Sequence, residues 1–174
     1  MTDNLNRAAD EPTTLVEMLD FYRGVMLNKA DGLTDTQLSH AHPPSDLTIG
    51  GLLMHLALVE DSWFDDKFAG RPELEPWASI PWDDDHDWEF HHAHERTGDD
   101  LRNLYNESVA RSQATISAAI ASPTGLDTES VRRRDLDDKP WNLRWIMVHM
   151  IEEYARHCGH ADYIRQSIDG VTGD

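Results

Sequence analysis

The sequence predicts an all-α protein, a four-helix bundle, and three observations predict it. Four segments repeat apolar residues at helical spacing, each is bounded by residues that start or stop helices, and none carries the alternation a strand needs. Each helix has an apolar stripe to bury, and in 174 residues the surfaces available are the other helices. The expected organisation is one domain over residues 1–174, with its core from about 14 to 170.

The first helix is expected from about Thr14 to Asp31, with Leu15, Met18, Leu19, Tyr22 and Met26 on one face and Gly32 as its stop. A short turn follows Thr34, whose hydroxyl can cap Asp35–Leu38, before Pro43 and Pro44 break the chain. The second helix starts near Thr48 and runs through Leu52, Leu56, Val59 and Trp63 to about Ala69, with Gly70 after it. Residues 71–96 hold Pro72, Pro76 and Pro81, three tryptophans (Trp77, Trp82 and Trp88) and the acidic run Asp83–Asp87. That is too long for an ordinary connection, so the segment is a lid or a crossover packed by its tryptophans. Thr97 with Asp100 reads as a capping box that opens the third helix, which ends before Pro123. A second long connection, 122–141, carries the basic run Arg132–Arg134. Asn142 then caps the fourth helix, which ends at Gly170. The longest connections flank the third helix, which predicts crossovers instead of simple hairpins.

Charge excludes several partner classes. Fifteen basic against 33 acidic residues leave a net charge of −18, and protonating all ten histidines would still leave −8. Duplex binding needs a basic footprint to displace counterions, so no nucleic acid is expected, and an anionic membrane surface is disfavoured for the same reason. No apolar run approaches the roughly 20 residues of a membrane span, and the polar start lacks the layout of a signal peptide. The lone Cys158 forms no internal disulfide. A cytoplasmic protein is expected, and a homodimer is compatible with the sequence.

The chemistry is concentrated in the run HMIEEYARHCGH, residues 149–160. At about 100° per residue the stripe of the fourth helix centres on Leu143, Met147, Met150, Tyr154 and Ala161. Glu153 and His157 fall at its edge, one turn apart, while Glu152 points away. His55 lies inside the stripe of the second helix. Two imidazoles and a carboxylate are a common divalent-metal set with positions left open, and a cation removes the cost of burying Glu153 unpaired. The same pattern also fits a hydrogen-bonded core histidine beside an i,i+4 ion pair. His149 and His160 lie near the same edge and either replace a ligand or support one. His86, His91, His92 and His94 sit among acids and read as a solvated loop. Cys158 falls on the buried stripe and reads as an inert thiol. No Gly-rich phosphate loop, nucleophile elbow or HExxH helix is present.

Two stretches, LLMHLALVE (52–60) and WIMVHMIEEYARHCGHAD (145–162), resemble the DinB-like superfamily, and within it the actinobacterial members related to mycothiol-dependent enzymes. The resemblance spans nearly the whole chain, but its specific motifs lie in the second and fourth helices. It implies an up-down-down-up four-helix bundle holding one divalent metal, zinc or nickel. The matching ligand positions are His55, Glu153 and His157. Many relatives have His where this chain has Glu153, and the Glu form resembles the mycothiol-dependent maleylpyruvate isomerases. His160 matches a further position near the metal. The resemblance also implies a small thiol, mycothiol as co-substrate, activated for transfer to an electrophile or for isomerisation.

Three functions follow. The first is a metal-dependent thiol S-transferase, with Arg144 or Arg165 supplying a local positive patch for an anionic acceptor and segment 71–96 covering the open position. The second is hydrolysis by metal-bound hydroxide at the same ligands. The third is a metal-binding stress protein without turnover.

Overall fold

Local chemistry sets the element boundaries in the computed structural model, which describes residues 5–173. Helix α1 (Glu11–Ala30) begins earlier than Thr14, because the Asp10 carboxylate accepts the Thr13 N–H at 3.0 Å and Pro12 occupies the first turn. Gly32 follows it at φ 71°. The short helix α2 (Asp35–Leu38) has the full capping box of Thr34 with Gln37. Helix α3 (Ile49–Glu60) starts where the Thr48 hydroxyl accepts the Gly51 N–H, and it continues over Asp61–Phe68 as π-helix. The sequence expectation of one regular helix to Ala69 is corrected there: the repeat widens to i→i+5 just where acids enter the interior. Gly70 (φ 68°) ends it, and a Cβ at that position would stand 2.5 Å from Val131.

Segment 71–96 is a packed crossover. It holds a 3-10 turn at Trp77–Ser79, the short helix α4 (Trp88–His92) and a second turn at Ala93–Glu95. Trp77 is buried and its indole N–H donates to Asp61 at 2.9 Å. Helix α5 (Gly98–Ile120) opens on the Thr97–Asp100 box. The absence of strands is also corrected. Strands β1 (Glu129–Arg134) and β2 (Lys139–Asn142) form an antiparallel hairpin, with Arg134 opposite Lys139 and Glu129 opposite Asn142 across an irregular register. It shows no alternation because it is exposed on both faces over most of its length. Asn142 ends β2 and caps helix α6 (Leu143–Asp169), which stops at Gly170 in the left-handed conformation.

The molecule is thus mainly helical, with one small sheet. Side-chain pairs fix how the long helices run. Arg144 at the start of α6 bonds Glu11 at the start of α1, and Arg165 near its end donates to the Lys29 and Asp31 carbonyls, so α1 and α6 are parallel. Asp61 meets Ser108 and Arg111, and Asp65 meets Thr115, so α3 and α5 are parallel. Glu60 meets Tyr154 and Trp63 meets His149, so α3 and α6 are antiparallel. Leu19, Met26, Leu52, Leu56, Phe64, Ile116, Met147 and Met150 fill the interior.

Charge is buried there too. The Arg23 guanidinium donates to both oxygens of Glu60 at 2.8 and 2.7 Å, and the Tyr154 hydroxyl donates to the same carboxylate at 2.8 Å. Asp61 accepts from Arg111, Trp77 and Ser108, and Asp65 from Arg71 and Thr115. Removing one member of such a pair leaves an uncompensated charge, which costs about 3–5 kcal/mol. No helix of the described residues is long and apolar enough to cross a membrane.

Candidate metal centre

The antiparallel run of α3 against α6 sets His55 beside Glu153 and His157. One donor atom from each lies within 4.8 Å of the other two. The imidazoles meet edge to face at 4.9 Å, and the Glu153 carboxylate stands 3.3 Å from His157 Nε2. His149, Glu152 and Glu153 form a second group of this kind, with His149 Nε2 3.8 Å from Glu153. Glu152 itself is exposed and pairs with Arg156, as its helix phase predicts.

His55 is held from behind by a residue the sequence reading did not find. Glu89, on α4, is 3% exposed, and its Oε1 lies 2.8 Å from His55 Nδ1. A carboxylate there accepts the Nδ1 proton, which leaves the Nε2 lone pair free as a donor. Phe90 stacks on the same ring at 4.7 Å and excludes water from that side. His160 faces His157 through Nδ1 atoms 3.4 Å apart. Burial pushes the His157 imidazole down to about 3, with the His55, His160 and Arg156 charges acting the same way, so it is neutral at physiological pH. Neutral imidazole is the form that ligates.

The residues fit a divalent cation. Two imidazoles and the half-buried Glu153 carboxylate converge from two helices, and a buried carboxylate behind His55, Glu89, has an oxygen (Oε2) with no hydrogen-bond partner. The arginine beside this group, Arg156, stands 3.5 Å from Glu153. A dication would balance the half-buried Glu153 and the buried Glu89 together.

Other sequence candidates are placed elsewhere. Arg144 is committed to Glu11 and Asp127, and Arg165 to Asp169 and two backbone carbonyls, so the expected positive patch is not built from them. Both serve the α1–α6 contact. The loop expected around His86, His91, His92 and His94 is corrected in part: His91 and His92 end α4 and His94 lies in the turn after it, with His91 paired to Asp85, His92 stacked on Trp88 and His94 bonded to the His91 carbonyl. Cys158 is buried.

An aromatic cluster adjoins the donors. Trp145 stacks on His149 at 5.2 Å, Trp63 meets His149 at 4.7 Å, and Trp141 meets Trp63 edge-on at 5.4 Å. Trp145, His149, Glu153 and His157 recur every fourth residue, a spacing that was visible in the sequence and that continues the donor line to the start of α6.

No protein of curated function matches the chain. Among solved structures it is similar to a conserved protein from Enterococcus faecalis, at 17% identity and a TM-score of 0.70, covering 94% of this chain and all of that one. That likeness concerns the fold. The sequence profile described as mycothiol-S-transferase matches residues 14–170, which takes in every long helix from the first turn of α1 to the end of α6 and all three converging donors. The chain belongs to the mycothiol-S-transferase family, within the DinB-like superfamily.

Proposed function

We propose that this protein is a divalent-metal-dependent thiol S-transferase, joining a small thiol of the mycothiol type to an electrophile in the cytoplasm. The observation that carries the reading is the convergence of His55, Glu153 and His157 between α3 and α6, in a chain of this family. The directions of the helix pairs support an up-down-down-up four-helix bundle, acting as one domain over about residues 14–170.

His55, Glu153 and His157 would hold the ion, zinc or nickel. The bound cation would lower the pKa of a thiol that reaches it, so that thiolate is present at neutral pH. Glu89 fixes the tautomer of His55, and His160 braces His157. Cys158 is buried, so the thiol comes from solution. His149, 3.8 Å from Glu153, would take the thiol proton. A carbon–sulfur bond then forms on the electrophile, and its leaving group departs with the electron pair.

Untagged metal-loaded protein assayed against panels of thiols and electrophiles should consume both together. Chelation and His55→Ala should abolish turnover, while Cys158→Ser should retain it. Chelation should also lower the melting temperature without loss of helical circular dichroism, since an ion at a hundredfold excess over its Kd contributes about 2.7 kcal/mol. Metal-dependent hydrolysis without thiol would replace this reading by the hydrolase. Metal binding with no turnover would leave a metal-binding protein.

A further inference from the structure

Between the hairpin and the first turn of α6 lies a cavity of about 290 Å³ lined by Arg134, Asp137, Lys139, Pro140, Trp141 and Trp145. That is near the lower end, about 300 Å³, of pockets that hold small molecules. Its walls are unusual for this chain in two ways. Trp145 is 48% exposed although one face is stacked on His149, so an indole face is presented to solvent and held in place from behind. A rigid exposed indole gains by accepting a flat ring. The second feature is charge. Arg134 and Lys139 share a single carboxylate, Asp137, at 3.8 and 3.9 Å. The charged side chains of its lining therefore sum to +1, in a protein of −18.

We propose that this cavity binds a planar aromatic molecule bearing a negative charge, and that such a molecule is the acceptor of the thiol. Naming it the acceptor rests on the transferase reading; the binding itself does not. Glu153 lies eight residues, or about 12 Å, further along the same helix face, and because His149 backs the indole a molecule on the free face reaches it past the edge of the ring. The acceptor is accordingly elongated, with its anionic ring against Trp145 and its electrophilic carbon directed toward Glu153. Lys67, 4.9 Å above the Trp63 ring, adds a cation on the far side of the cluster.

The test uses the full ¹⁵N-labelled chain, metal-free and metal-loaded, titrated with naphthoate, neutral naphthalenemethanol and neutral N-acetylglucosaminyl-inositol. Naphthoate should shift the indole N–H signals of Trp141 and Trp145, assigned by substitution, and leave buried Trp77 unmoved in both forms. Trp145→Ala and Trp145→Leu should each weaken naphthoate about tenfold, and Tyr163→Ala, an exposed aromatic further along α6, should change nothing. Lys139→Glu should weaken naphthoate but not the alcohol. Binding unchanged by both Trp145 variants, or N-acetylglucosaminyl-inositol shifting these signals where naphthoate does not, overturns the proposal. Thiol turnover without naphthoate binding would sink the cavity alone. Naphthoate binding without turnover would sink the transferase reading and the acceptor role, leaving an aromatic-acid site.

Discussion

At the scale of single residues, adjacent glutamates on one helix have opposite fates. Glu153 sits at the edge of the buried face and joins the two imidazoles, while Glu152 lies outside and pairs with Arg156. Glu153→Ala should therefore abolish zinc binding in a calorimetric titration, and Glu152→Ala should leave it nearly intact; equal losses would overturn the assignment. Glu89→Gln should weaken zinc about 10–100-fold, the usual effect of removing a group that orients a ligand. The two donors on α6 were legible because helical phase alone separates Glu153 and His157 from Glu152. Glu89 was not. It stands in an acidic stretch with nothing local to distinguish it from Asp87 or Glu95, and its contact with His55 joins residues 34 apart. The cation nearest the donors, Arg156, was likewise passed over for Arg144 and Arg165, whose partners belong to other elements.

At the scale of elements, starts and stops were legible because caps are made by neighbours in sequence. Thr34, Thr48, Thr97 and Asn142 each cap the helix they precede, and Gly170 takes the left-handed conformation at the end of α6. The hairpin was hidden because its strand of three consecutive arginines leaves only Ser130 buried, and the π-helical stretch because a helical wheel assumes a constant repeat. Asp10, which starts α1, offers a test. The Thr13 hydroxyl and backbone N–H hold its carboxyl below the usual range, so its contribution is present above the unfolded value of about 3.9 and is lost as pH falls through the lower, folded one. Asp10→Ala should lower the melting temperature at pH 7, and the difference from the unaltered protein should shrink as pH falls below 4. A difference independent of pH would assign the effect to something other than the carboxylate cap.

At the scale of the whole molecule, α3 and its π-helical extension touch almost everything through charge. Glu60 is met by Arg23 from α1, Asp61 by Arg111 from α5, and Asp65 by Arg71 from the crossover. Glu60→Ala or Arg23→Ala alone should cost about 3–5 kcal/mol in denaturant unfolding, whereas Arg23→Met and Glu60→Leu combined with Tyr154→Phe, which removes the hydroxyl that donates to Glu60, should lie within about 1–2 kcal/mol of the unaltered protein, because an apolar group of similar size carries no desolvation penalty. A triple variant as unstable as either single one would show that the charged group stabilises beyond that penalty. The three acids also act on states other than the native one. A collapsed chain can bury its leucines in many arrangements of nearly equal energy, but each arrangement that puts the wrong neighbour beside α3 strands a carboxylate away from water. Those three pairings penalise misassembled competitors, so they narrow the set of compact shapes open to the chain even where they add little to the depth of the native well.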